Sequence, residues 1–134
     1  MFQATAVSTQ SAPPPAGHYS QAVVAGPFVF LAGQTPRTRD GVRHVDKPFA
    51  EQARIVLDNL AAVAAEAGAS LKDAVKVTVF LKDPSQAGEF DTIYREYLSE
   101  GSVPPARSLV QSDLPHGQLE VEAILLMTGA ITHV

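Results

Sequence analysis

The strongest constraint on the fold is a strand with one apolar face, placed between two amphipathic helices. Every second residue from Val75 to Leu81 is valine or leucine, inside a strand predicted over 71–81. A helix is predicted before it over 48–67, where apolar residues form one stripe and Gly68 provides the stop. A second helix is predicted from Pro84 to Gly101. Helices that each bury one face between strands are expected to cover a sheet.

Further strands complete the expected sheet. A hairpin is predicted from 19–24 and 28–31, joined by an Ala-Gly-Pro turn. Strands follow over 108–111 and 119–128, and an Asp-Gly turn indicates a short edge hairpin over 37–45. This order predicts the α+β class, with an antiparallel or mixed sheet of about six strands and both helices on one face.

The last strand carries apolar residues on the face that the helices leave uncovered. Glu120 and Glu122 point to the same face as Ile124 and Leu126, because side chains alternate along a strand. At least one of the two glutamates is therefore expected to be shielded from solvent. An uncovered face with apolar residues is expected to pack against another subunit, which predicts an oligomer.

Length and composition indicate a single domain of residues 17–134 preceded by an N-terminal arm. Residues 1–16 are rich in Ala, Ser, Thr and Gln and end in prolines at 13–15, a composition that favours extended chain. No apolar run approaches the roughly 20 residues that cross a bilayer. The lack of a signal peptide predicts a cytoplasmic protein with no membrane partner.

Charge and residue types argue against several function classes. The net charge of −4 offers no basic field for nucleic acid. The chain has no cysteine, which excludes disulfides, thiolate metal sites and cysteine nucleophiles. Its four histidines lack the spacing that places two imidazoles on one helix face, so no metal site is expected.

A candidate anion-binding residue lies where a turn becomes a strand. Arg107 follows Pro104 and Pro105, which discourage helix, and an extended run comes after it. A stiff segment therefore holds a planar guanidinium group that can donate two parallel hydrogen bonds to a carboxylate or phosphate. On these residues alone, an ordinary surface ion pair is the alternative.

Four separated segments resemble the signatures of one family, the Rid (YjgF) family of reactive-intermediate imine deaminases. They are GHYSQAV at 17–23, VFLAGQTP at 29–36, PPARSLVQ at 104–111 and EVEAI at 120–124. Their order and spacing also match, and the resemblance spans about Gly17 to Met127. It implies a chorismate-mutase-like fold that assembles as a homotrimer, with a central barrel of strands and sites in the clefts between subunits.

The resemblance also implies roles for four residues. Arg107 would hold the substrate carboxylate with help from the backbone at Gly33. Tyr19 would line the same cleft, and Glu122 would position or activate water, with a pKa raised by desolvation. Such a site would hydrolyse small 2-imino acids to 2-keto acids and ammonia, without a cofactor or metal because the imine carbon is already electrophilic. Each residue taken singly also has a purely structural explanation: Tyr19 could be a packing residue of a strand, Gly33 could form a bulge, and Glu122 could belong to an ion pair at an interface.

Departures from the family at His18, Ala32, Asp91 and Leu109 leave the substrate open, and two of them concern the expected site. Asp91 lies where many relatives have asparagine, and Leu109 where well-known deaminases carry cysteine; both are expected near the substrate. A carboxylate at Asp91 would repel an anionic substrate unless it is paired, protonated or turned away. The alternatives are a non-catalytic trimer that binds keto acids, and a deaminase of a catabolic intermediate such as an aminomuconate-like compound. Ribonuclease activity ranks last, since no basic stripe interleaved with aromatic residues is present.

Overall fold

The computed structural model describes residues 3–98 and 103–127, which form one six-stranded sheet and two α-helices. The strands are β1 (Ala4–Val7), β2 (Ala22–Ala25), β3 (Phe28–Gln34), β4 (Ala74–Leu81), β5 (Ala106–Gln111) and β6 (Leu119–Leu126), and the helices are α1 (Phe49–Glu66) and α2 (Ala87–Leu98). The predicted helix end at Gly101 and strand end at Thr128 lie outside the described residues. Within the described part of the chain, neither helix is long and apolar enough to span a membrane.

The sheet is mixed, with β6 between β3 and β4. The strand order is β1-β2-β3-β6-β4-β5, and every neighbouring pair is antiparallel except β4 and β5. The parallel pair is connected through α2, since parallel strands need a long crossover. The predicted α+β class, the mixed sheet of about six strands and the β2–β3 hairpin are confirmed.

The core lies between the sheet and the two helices, which contact each other on one face. Val56, Leu57 and Leu60 of α1 are fully buried. Val79 and Val121, opposed on β4 and β6, belong to the same cluster and are equally buried. Burial of each such side chain contributes roughly 1.5–3 kcal/mol to the free energy of folding, so this layer holds α1 against the centre of the sheet.

Helix α1 follows Pro48 and ends before Gly68, as the sequence predicts. Pro48 provides no side-chain cap, and the buried Gln52 fixes the entry segment instead by donating to the carbonyl of Lys47 at 2.7 Å. Gln52 also accepts a hydrogen bond from the backbone N–H of Gln118 at 2.9 Å, which ties the approach to β6 to the helix. Gly68 has φ of +81°, a conformation that favours glycine.

The N-terminal segment differs from the predicted arm over 1–16, because part of it belongs to the sheet. Ala4–Val7 pairs antiparallel with β2. The buried side chain of Gln21 accepts a hydrogen bond from the N–H of Thr9 at 2.7 Å and donates to the carbonyl of Pro13 at 2.9 Å. One buried amide therefore satisfies backbone groups of residues that lie outside the sheet.

Two other segments are less regular than predicted. The hairpin expected over 37–45 is reduced to a single antiparallel bridge between Arg37 and Arg43. The strand expected over 71–81 begins with a 3₁₀ turn, because Ser70 caps that turn and satisfies its amide groups locally.

The sheet face opposite the helices is open in the single chain. Phe28 and Phe30 of β3 are 37% and 43% exposed, and their ring centres are 6.4 Å apart. They lie opposite Leu126 and Ile124 of β6, so apolar residues continue across two strands. This row is the surface that the sequence predicts to pack against another subunit, which stays a prediction.

Candidate functional site

A cavity opens where an irregular part of β3 lies beside the start of β6. Its volume is about 380 Å³, and Tyr19, Gly33 and Glu120 are among its lining residues. The β3–β6 register shifts between Leu31 and Gln34, so Gly33 lies outside the regular ladder. Irregularities of this kind redirect the backbone and are over-represented beside active sites.

Gly33 is packed against the carboxyl group of Glu120. A Cβ atom at position 33 would overlap Oε2 of Glu120 and lie 3.1 Å from its Cδ. Glu120 is half-buried, and this burial, with a smaller contribution from the charge of Glu122, raises its pKa above the ordinary value. A carboxyl group shifted toward neutral pH beside an open cavity is suited to accept and donate protons.

The structure places Glu120, and not the predicted Glu122, at this cavity. Glu122 is exposed, pairs with Thr78 across β6 and β4, and lines a separate hollow together with Lys76. The expected desolvation of Glu122 is therefore absent in the single chain. Both glutamates point to the same sheet face, as predicted, so alternation alone could not choose between them; the irregular backbone at Gly33 makes the choice.

Tyr19 forms another wall of the cavity and connects it to the N-terminal segment. Its side chain is half exposed, and its hydroxyl oxygen accepts a hydrogen bond from the N–H of Ala16 at 3.0 Å. That bond leaves the hydroxyl proton to be donated to a ligand or water. Tyr19 therefore presents a fixed donor at the same cavity as Gly33 and Glu120.

Arg107 lies on the edge strand β5 and faces α2. Its Nη1 donates to Oδ1 of Asp91 at 2.8 Å, and its guanidinium carbon is 4.9 Å from the ring centre of Tyr94. Asp91 also accepts a hydrogen bond from Nε of Arg95 at 3.1 Å. The bond to Arg107 lowers the pKa of Asp91, so its carboxylate stays ionised at neutral pH. Because two arginines surround one carboxylate, the cluster of Arg107, Arg95 and Asp91 carries a net positive charge. Asp91 therefore does not cancel the attraction of Arg107 for an anion.

Leu109 lies two residues after Arg107 on the same face of β5 and packs against the core. Its side chain is thus on the side where Arg107 contacts Asp91 of α2. Here leucine serves the packing of an edge strand.

Apart from Glu122, the predicted site residues of a single chain lie in two separate groups. Tyr19 and Gly33 lie at the cavity, whereas Asp91 and Leu109 lie with Arg107. Strands β3 and β5 are three positions apart in the sheet, a distance of about 14 Å at the usual spacing. The guanidinium group also faces the helices, while the cavity glutamate faces the opposite side of the sheet.

Sequence analysis missed three basic residues at the cavity, namely Arg37, Arg43 and His116. The two arginines form the isolated bridge, so they are direct cross-strand neighbours. The Asp-Gly turn at 40–41 was the available signal, because a hairpin centred there brings residues on either side of it together.

Comparison with known proteins extends over almost the whole chain. Residues 9–127 match the family model described as Endoribonuclease L-PSP. A RutC family protein of Pyrococcus abyssi is 44% identical over 120 residues, which cover 88% of this chain and 93% of that protein. The crystal structure of RidA from an Antarctic Psychrobacter is 36% identical with a TM-score of 0.81, covering 91% of this chain and 98% of that one. The crystal structure of Escherichia coli TdcF with bound serine is 35% identical with a TM-score of 0.84, with the same coverage of 91% and 98%.

Proposed function

Because this chain belongs to the Rid family, also named YjgF or RutC, we propose that it is a hydrolase that releases ammonia from small 2-imino acids. In this reaction water adds to the C=N carbon, the C–N bond breaks, and a 2-keto acid and ammonia are formed. The reaction consumes only water. The protein therefore has to position the imine and a water molecule and to move protons between oxygen and nitrogen.

The observation that carries this proposal is the half-buried carboxyl group of Glu120 beside Gly33 and Tyr19, at the edge of an open cavity. When ionised, Glu120 can accept a proton from the attacking water; when protonated, it can donate one to the departing nitrogen. Its raised pKa brings the exchange between the two forms closer to neutral pH. The Tyr19 hydroxyl can donate to the imine nitrogen or to the water.

We assign Arg107 to the substrate carboxylate. Asp91 engages only Nη1 at 2.8 Å, so Nε and Nη2 can offer the two parallel hydrogen bonds that a carboxylate accepts. The contact with the Tyr94 ring fixes the plane of the guanidinium group. Serine, which is bound in the TdcF crystal structure, carries a carboxylate and a nitrogen on one carbon, and it supports a small ligand of this kind.

We further propose that the site is completed between the subunits of a homotrimer. The two groups of site residues lie three strands apart and on opposite faces of the sheet, which supports their meeting only across an interface. The open face with Phe28 and Phe30 is the surface that assembly would cover. Size-exclusion chromatography with light scattering should give three times the 14.2 kDa of one chain, and a monomer would contradict the proposal.

The experiment that tests the activity generates imines in situ from serine, threonine and leucine and follows keto-acid release. The wild-type protein should accelerate release. Arg107→Ala should lower kcat/KM roughly 100-fold, because it removes charge-assisted hydrogen bonds worth together about 3 kcal/mol. Arg54→Ala is the matched control: it removes a guanidinium group that is bonded to Glu96 at 2.7 Å and belongs to neither group of site residues. Equal activities in wild type and Arg107→Ala would refute the assignment of Arg107.

A non-catalytic trimer that binds keto acids is the second candidate. The departures from the family at Asp91 and Leu109 motivate it, because both residues lie beside Arg107 and could have removed turnover while the arginine is kept. Calorimetry decides between the two functions. Binding of 2-ketobutyrate that is lost in Arg107→Ala, together with no acceleration of imine hydrolysis in wild type, would establish the binding function.

A further inference from the structure

Two arginines lie in the same cavity as Glu120 and have no role in the reaction described above. Arg37 and Arg43 line this cavity, and their backbones pair as an antiparallel bridge. Like charges at directly opposed positions of a strand pair destabilise it. A pair placed so beside an open cavity is a ready site for an anion, which would remove the repulsion.

The loop that presents these arginines is held in place. Asn59 of α1 is 7% exposed and donates to the carbonyl of Arg37 at 2.7 Å. Within the loop, the N–H of Thr38 donates to the carbonyl of Val42 at 3.0 Å. The start of the arginine side chains is therefore preorganised, which lowers the entropy lost on binding.

Neither arginine forms an ion pair with a carboxylate among the residues that the structure describes. The guanidinium group of Arg37 donates to the neutral carbonyl of Pro14. Asp40, on the turn between the two arginines, is bonded instead to the hydroxyl and amide groups of its own loop. The pKa of Glu120 is raised by burial and a neighbouring glutamate, and no arginine contributes to it. The positive charges of Arg37 and Arg43 are therefore not neutralised by Glu120, the carboxyl group of the same cavity.

We propose that the cavity selects imines that carry a second carboxylate, namely 2-imino dicarboxylic acids of four or five carbons. This inference rests on the proposed hydrolase function. Arg107 from a neighbouring subunit holds the carboxylate next to the imine carbon, and Arg37 and Arg43 hold the distal carboxylate. The reaction is the same: 2-iminoglutarate and water give 2-oxoglutarate and ammonia. The volume of about 380 Å³ lies within the roughly 300–1,000 Å³ of known ligand pockets and accommodates the longer chain.

The test compares imines that differ in the second carboxylate. An amino acid oxidase generates 2-iminosuccinate, 2-iminoglutarate or 2-iminopropanoate from aspartate, glutamate or alanine, and keto-acid release is followed. In wild type, kcat/KM for a dicarboxylic imine should exceed that for 2-iminopropanoate by about tenfold or more, since an added charge-assisted contact is worth at least this factor.

Arg43→Gln should reduce that preference roughly tenfold, mainly by raising KM for the dicarboxylic imine. Arg43 is the better target because Arg37 also holds the segment at Pro14. Arg39→Gln is the matched control: it removes the same charge from the same loop, but its side chain lines a different hollow, so the preference should not change.

The outcomes separate this inference from the function on which it rests. A wild-type preference near one, or equal changes in Arg43→Gln and Arg39→Gln, overturns the dicarboxylate assignment, while hydrolysis of 2-iminopropanoate keeps the function in place. If no imine is hydrolysed, the function fails, and calorimetry with 2-oxoglutarate and pyruvate still tests the anion site. Tighter binding of 2-oxoglutarate that is lost in Arg43→Gln supports the site, and equal binding overturns it. Binding of a short single-stranded RNA that exceeds binding of 2-oxoglutarate and is lost in Arg43→Gln would show a phosphate site and overturn the proposal.

Discussion

Replacing Gly33 with alanine should separate catalysis from folding, because the change displaces Glu120 without removing it. The new Cβ would overlap Oε2 and lie 3.1 Å from Cδ and 3.2 Å from Cγ of Glu120. Contacts between carbon atoms are most favourable at roughly 3.5–4.0 Å, so the carboxyl group must move by something on the order of 0.5–1 Å. The φ angle of Gly33 is not in the left-handed region, so the backbone itself accepts alanine.

The expected effects on stability and on activity differ strongly. Moving a glutamate off its preferred rotamer costs about 0.5–1.5 kcal/mol. The reduced freedom of the unfolded chain offsets roughly 0.4–1 kcal/mol of this loss. The free energy of unfolding should therefore change by less than about 1 kcal/mol, whereas a displacement of about 1 Å at a catalytic group lowers the rate on the order of 100-fold.

The measurements are kcat/KM for imine hydrolysis and unfolding in urea, with Gly88→Ala as the control. A Cβ at Gly88 meets nothing within 4 Å, so this helical alanine should add roughly 0.5–1 kcal/mol of stability and keep wild-type activity. Wild-type kcat/KM in Gly33→Ala would refute the catalytic role of the Glu120 position. An unfolding free energy lowered by more than about 3 kcal/mol would show instead that Gly33 chiefly serves the fold.

Two further predictions concern the charged groups. Because burial raises the pKa of Glu120 above 4.5, the folded state holds its proton longer, and stability falls as pH rises from 4.5 through the folded pKa. Glu120→Gln should therefore show a smaller fall than wild type when urea unfolding is measured across this range, and equal pH profiles would contradict the reasoning. For Asp91 the pH dependence of stability has the opposite sign. Arg107 lowers the pKa of Asp91 below 3.8, so the stability that this carboxylate contributes to the fold is present at neutral pH and is lost as pH falls below 3.8. Asp91→Asn should lower the free energy of unfolding by less than about 1 kcal/mol, since the ion pair is partly exposed. The same variant should bind 2-ketobutyrate severalfold more tightly, because Arg107 gains a free donor. Glu96→Gln, which breaks a surface ion pair outside the site, should leave this binding unchanged. Weaker binding of 2-ketobutyrate in Asp91→Asn would contradict the assignment of Arg107 to the ligand carboxylate.

Local signals in the sequence are sufficient to predict most of the helices and strands. Each of these signals acts within a few residues, so a helix, a strand and a hairpin could be predicted from neighbouring residues alone. Examples are the apolar periodicity over Phe49–Glu66 and Ala74–Leu81 and the Gly-Pro turn before Phe28. The order of these elements was enough for the fold class. The four segments that resemble the Rid family are likewise runs of adjacent residues, and the match of residues 9–127 confirms the family that they indicate together.

Which side chains contact one another depends on how distant segments of the chain pack together. Alternation assigns Glu120 and Glu122 to one face, but the depth of each depends on the irregular stretch of β3 that brings Gly33 against Glu120. The pairing of Asp91 with Arg107 joins a helix to an edge strand, and no local pattern specifies such a contact. The same holds for Arg37 and Arg43, whose bridge forms because α1 holds their loop. A period of two or of 3.6 residues fixes the direction of a side chain, whereas its partners depend on how distant segments pack.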